Sequence, residues 1–172
     1  MLRAQQAQLA QSANIDLVNI RTAEINYFVQ FFTNFGTQSA LIAGFQLSSI
    51  SQVDTEFASR WSANMYWISS AVCICLSLHV LLCSVYATVF GEELALRGPP
   101  GSMLTAVNGM LDEQHQVIIT FSWNILFLGI STIATYYVVM DEIGAHVCTG
   151  VTVVAMYLWY RYCLRIYNRF QY

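Results

Sequence analysis

Gln30, Asn34, Thr37, Leu41, Phe45, Ser48 and Gln52 recur at steps of three and four residues, so a helix carries them on one continuous face. That face is polar at both ends and apolar in the middle. Two kinds of chemistry suit it. It can wall a water-filled pore, with Leu41 and Phe45 as an apolar constriction between wetted ends. It can instead supply interhelical hydrogen bonds inside a membrane protein, where small and amide side chains hold helices together. The stripe is neutral, and a ring of charges would be a stronger sign of ion conduction.

His79 is the only ionisable group deep in any of the four apolar stretches defined below. Such groups usually face protein, and two roles suit this one: a neutral hydrogen bond to a neighbouring helix, or a gating or proton-sensing hinge. Near the C-terminus, Arg161, Arg165 and Arg169 recur every four residues among Tyr157, Trp159, Tyr160, Tyr162, Tyr167 and Phe170. Aromatics at headgroup level and guanidinium groups on lipid phosphates make this an interfacial anchor, with a docking face for a partner protein as the other reading. No Ser/His/Asp set, nucleotide-binding glycine loop or paired-carboxylate site occurs. The expectation is a protein that is not an enzyme, with no cofactor and no nucleic-acid partner.

These residues lie on a chain of 172 residues that is 56% apolar, 14% aromatic and only 10% charged. A chain so poor in charge cannot cover a water-soluble surface, so lipid must solvate much of it. Charge-poor stretches long enough to span about 30 Å of hydrocarbon run over residues 25–53, 61–91, 116–140 and 143–160. They lack the alternation of barrel strands. The fold class expected is an all-α membrane protein with four transmembrane helices and cytosolic helical extensions. Residues 1–24 form an N-terminal extension, and residues 25–172 form the transmembrane domain.

The net charge of −3 matters less than the placement of the seven cations, all arginine. Arg3, Arg21, Arg97, Arg161, Arg165 and Arg169 fall on one side of such a topology and only Arg60 on the other. The positive-inside rule puts both termini in the cytosol or its organellar equivalent. The first span is expected to be its own insertion signal, because residues 1–24 lack the short apolar core of a cleavable one. The only prolines, Pro99 and Pro100, sit in Gly98-Pro99-Pro100-Gly101, a loop after which Ser102 is a plausible helix N-cap. Cys73, Cys75, Cys83 and Cys148 fall within spans and read as small packing residues. No disulfide framework or metal cluster is expected.

The run Ser39-Ala40-Leu41-Ile42-Ala43-Gly44-Phe45, followed by Gln52-Val53, resembles the first transmembrane helix of the Orai family of calcium channels. Ser77-Leu78-His79 falls where that family has its second-helix histidine. A cytosolic loop and His115 precede the third helix, and Tyr160-Arg161 is similar to the end of the fourth. The resemblance covers roughly residues 39–169. It implies subunits assembled around a calcium-selective pore and gated by a store sensor. By position, Leu41, Phe45 and Ser48 would line the pore, Gly44 would be its flexible point, and His79 would support the pore helix from behind.

The chain departs from the family pattern in three places. The selectivity glutamate falls on Gln52, the basic inner pore falls on Thr33 and Thr37, and the third span carries no carboxylate. Only about a dozen residues follow the fourth span, fewer than the family's sensor-binding arm. Glu56, four residues beyond Gln52, is positioned to act as a displaced anionic ring if the first helix continues that far, although a local pair with Arg60 explains it equally. Two functions follow. One is a pore-forming cation (calcium) channel subunit with a degenerate filter, assembled as a homo-oligomer. The other is a non-conducting structural or assembly subunit of a larger membrane complex. Both imply a multi-pass protein in contact with membrane lipid.

Overall fold

The computed structural model describes residues 2–54, 59–99 and 101–170. The described chain is helical apart from short connections: α1 (Leu2–Gln52), α2 (Arg60–Arg97), α3 (Ser102–Val139) and α4 (Glu142–Phe170). No strand occurs among the described residues. Three helices are long and apolar enough to cross a membrane: α2, α3, and α4 over Glu142–Ile166. At 51 residues α1 has ample length, but amides and hydroxyls dilute its apolar character.

The breaks fall where the backbone demands them. Pro99 biases Gly98 away from helical geometry, and Gly101 takes φ of +93°, a left-handed conformation that glycine enters without steric cost. The Ser102 N–H donates to the Pro99 carbonyl at 2.9 Å, and α3 starts there. The helix expected after Ser102, leading without a breaker into the third span, forms the first turns of α3, which runs unbroken to Val139. Between α3 and α4 the chain reverses over Met140 and Asp141; the Asp141 carbonyl accepts the Ala145 N–H at 2.9 Å. Glu142, in the first turn of α4, meets the positive end of the helix dipole.

The chain divides into two compact units. Met1–Ala40 with His79–Thr120 form one, and Leu41–Leu78 with Phe121–Tyr172 form the other. In the first, Ile25, Phe28 and Phe32 of α1, Val80 of α2 and Ala106, Met110 and Val117 of α3 are buried. In the second, the buried set includes Tyr66, Ser70, Cys73 and Ser77 of α2 and Asn124, Ser131 and Ala134 of α3.

Both α2 and α3 bury a seam that repeats every seven residues. On α2 it runs Tyr66, Ser70, Cys73, Ser77, Val80, Ser84; on α3, Met110, Val117, Asn124, Ser131. Small residues at such positions let backbones approach closely. In lipid this matters more than apolarity, because hydrocarbon competes for every apolar side chain. Gly91 shows the same economy: an added Cβ would overlap the tip of Met110.

Candidate functional site

The side of α1 that packs against its neighbours is set by small and apolar residues at steps of three and four. In the first unit these are Ile25, Phe28, Phe32, Gly36 and Ser39. A Cβ added at Gly36 would lie 3.2 Å from the Ser84 Cβ, so α1 and α2 come very close at that point. In the second unit the buried side continues through Ala43 and Gln46.

The polar stripe lies on the opposite side. Gln30, Asn34 and Thr37 are exposed in the first unit, as are Leu41, Phe45, Ser48 and Gln52 in the second; Phe45 is 70% exposed. Several of its polar groups find partners within α1 itself. The Gln52 amide donates to Ser48 Oγ at 3.1 Å, and the Thr37 hydroxyl donates to the Thr33 carbonyl at 2.8 Å. Gly44 lies on the same exposed side, with open space where a Cβ would be and an unbroken helix around it.

The α1 amide that holds helices together is Gln46, outside the stripe. Only 5% exposed, its Oε1 accepts from Ser131 Oγ at 3.3 Å. Ser131 Oγ also lies 2.8 Å from Ser70 Oγ, which joins α1, α3 and α2 through three polar side chains. One step along the same seam, the Asn124 amide donates to Ser77 Oγ at 2.8 Å, and Cys73 Sγ lies 3.1 Å from Asn124 Oδ1. Ser49 Oγ and the Tyr66 hydroxyl are 3.0 Å apart. Every member of this network is neutral, so it can be buried without the cost of desolvating a charge.

The role of Asn124 and Ser131 went unrecognised in the sequence, although both sit on the seven-residue repeat of α3. His146 escaped notice as well: its Nδ1 is 3.0 Å from the Tyr137 hydroxyl across the α3–α4 turn. Their separation of nine residues, spanning a two-residue reversal, was the available signal.

The remaining candidates occupy separate places. His79 is exposed on the side of α2 away from its buried seam, with Nε2 3.6 Å from Cys83 Sγ one turn on. Within one copy it therefore looks away from α1. Arg161 lies 6.0 Å from the centroid of the Tyr157 ring and donates to the Tyr157 hydroxyl at 3.3 Å. Arg165 and Arg169 are exposed on the same helix. Glu56 lies outside the described residues, and α1 does not continue to it as placing it on the Gln52 face requires: the helix ends at Gln52.

Chemically, the α1 face can line a wet path or meet another protein surface. It offers hydroxyls and amides as ligands, with two apolar side chains between them. No family model, no curated protein and no solved structure matches this chain.

Proposed function

We propose that this chain is an Orai-like, multi-pass membrane protein whose α1 also crosses the bilayer, and that it is the pore-forming subunit of a cation channel. One observation carries the reading: α1 packs through one side and leaves the polar stripe on the other. Amides and hydroxyls at membrane depth are costly in hydrocarbon, so that side requires protein or water. A ring of copies with α1 innermost supplies both.

In such a ring, Thr37, Leu41, Phe45, Ser48 and Gln52 line the path. Leu41 and Phe45 form a constriction that gates by dewetting. A ring of Gln52 amides lacks the anionic field that strips and holds calcium; because α1 ends at Gln52, any cation preference from Glu56 would come from the connection after the helix and not from its pore face. With both termini cytosolic, Arg161, Arg165 and Arg169 meet lipid phosphates at the inner surface.

The second reading, a non-conducting structural subunit of a larger membrane complex, is favoured by the absence of any charged residue from Gln30 to Gln52. In that role a partner protein covers the same stripe. Reconstitution of the purified protein in vesicles with a cation-flux readout separates the two. Flux carried by a homo-oligomer, and altered by substitution at Leu41, supports the channel. Absent flux together with a set of unrelated co-purifying subunits supports the structural role.

A further inference from the structure

Between α1 and α3, within the first unit, lies an open groove of about 630 Å3. Arg21, Glu24, Tyr27 and Phe28 of α1 and Asn108 and Leu111 of α3 are among the residues that line it. In the topology set by the arginines, both helices run from the cytosolic side toward the bilayer, so Phe28 and Leu111 lie nearer the membrane than Arg21 and Asn108. The groove is apolar toward the lipid and polar away from it.

Its two charges are joined. Arg21 Nη1 donates to Glu24 Oε2 at 2.7 Å, and the two side chains keep only 31% and 39% of their surface. Arg21 lies three residues, about 4.5 Å, further from the bilayer, and the bond brings its guanidinium down beside the carboxylate. Opposite charges then sit side by side at one depth. The bond engages one of the five guanidinium N–H groups and one of the two carboxylate oxygens, which leaves both partners with capacity to spare.

The first apolar stretch begins at residue 25, so both charges lie within about 6 Å of it. That is headgroup depth, since headgroups fill about 5–8 Å beyond the hydrocarbon on each side. An acyl chain alone would leave the pair facing hydrocarbon, a costly contact. A net negative headgroup suits Arg21 but meets Glu24 with the wrong sign. A neutral headgroup carrying both charges matches the pair. Its phosphate oxygens accept from Arg21 and Asn108, and a primary ammonium donates to the second oxygen of Glu24; a trimethylammonium has no N–H to give.

We propose that this groove binds phosphatidylethanolamine of the cytosolic leaflet, with the phosphate on Arg21 and Asn108, the ammonium on Glu24 and the upper acyl chain along Phe28 and Leu111. The lipid ties α1 to α3 where both leave the membrane. This rests on the reading that α1 crosses the bilayer, and not on conduction.

The test places full-length protein in phosphatidylcholine vesicles with a trace of phosphatidylethanolamine that carries a photoreactive group near its glycerol. Mass spectrometry is expected to find the label on residues 20–28 or 107–111. Unlabelled phosphatidylethanolamine should displace it at a concentration roughly 5- to 20-fold lower than phosphatidylcholine or phosphatidylglycerol. Label spread evenly over the spans, or displaced equally by the three lipids, would overturn the proposal. So would displacement by water-soluble phosphoethanolamine at the same concentration as the lipid.

Two variants separate the ends of the headgroup. Arg21→Gln should weaken labelling roughly 5- to 20-fold, because it loses the phosphate. Glu24→Gln should erase the preference for phosphatidylethanolamine over phosphatidylcholine; a preference that survives it is fatal to the assignment. Crossing by α1 is read separately, from Ser51→Cys and Pro99→Cys labelled with an impermeant thiol reagent. Reaction from opposite sides without selective lipid labelling defeats this inference alone, and reaction from one side defeats it together with the crossing.

Discussion

The Asn124 side chain spans the α2–α3 contact from both ends of its amide, donating to Ser77 Oγ at 2.8 Å while its Oδ1 lies 3.1 Å from Cys73 Sγ. Asn124 and Ser77 are both fully buried. A carboxamide carries its donor and its acceptor on two separate atoms without charge, and here each meets a different partner, so the site tolerates replacement poorly.

Asn124→Leu keeps the branched shape and the number of side-chain heavy atoms and removes both hydrogen bonds. The expected loss is about 1–2 kcal/mol, because Ser77 and Cys73 lose their partner in a dry interface. Unfolding of the purified protein in mixed detergent reads it. Ser77→Ala added to Asn124→Leu should cost much less than it does alone, since its partner is already gone. Equal costs in the two backgrounds would disprove the coupling.

Gly91 and Met110 make a second coupled pair. Gly91→Ala pushes a methyl group into the tip of Met110. Because that tip is flexible, the expected cost is modest, about 1 kcal/mol. Met110→Ala in the same chain should recover much of it, as measured by thermal unfolding of single and double variants. A double variant no better than Met110→Ala with the full Gly91→Ala cost added would show that the contact is not the source.

The arginine distribution predicts sidedness. A cysteine introduced at Pro99 should react with a membrane-impermeant thiol reagent only from the cytosolic side, as should one at Arg165, whereas one at Asp141 should react only from the opposite side. Labelling of Pro99→Cys and Asp141→Cys from the same face would refute the topology.

If α1 lines a conducting path, its middle is the barrier. Leu41→Ser should raise resting cation flux through reconstituted protein several-fold, about 1 kcal/mol of lowered dewetting barrier being enough for roughly 5-fold. Glu56→Ala should lower calcium preference without abolishing flux. Calcium preference unchanged in Glu56→Ala would remove the displaced anionic ring, and a Leu41→Ser flux equal to wild type would place the barrier elsewhere.

Charge-poor runs, Gly98-Pro99-Pro100-Gly101 and the acidic pair Asp141-Glu142 between the third and fourth runs told in advance that the chain is a succession of long helices and where they break, although Glu142 belongs to α4 and the reversal falls on Met140 and Asp141. In each case the cause is local: backbone geometry at proline and glycine, or the cost of burying charge. The spacing from Gln30 to Gln52 likewise marked one face of α1, because the helical period is intrinsic.

The rotation of that face was a tertiary decision. Gln46 and Gln52 are chemically alike and six residues apart, yet Gln46 is buried against Ser131 and Gln52 is exposed. Hydrophobic patterning orients a helix in water by contrast between core and solvent. In lipid that contrast fades, and close packing of small residues such as Gly36 against Ser84 orients α1 instead. For the same reason Asn124 became a central contact only once α2 lay against α3. A seven-residue repeat supplies a seam, and the neighbour that fills it comes from the fold.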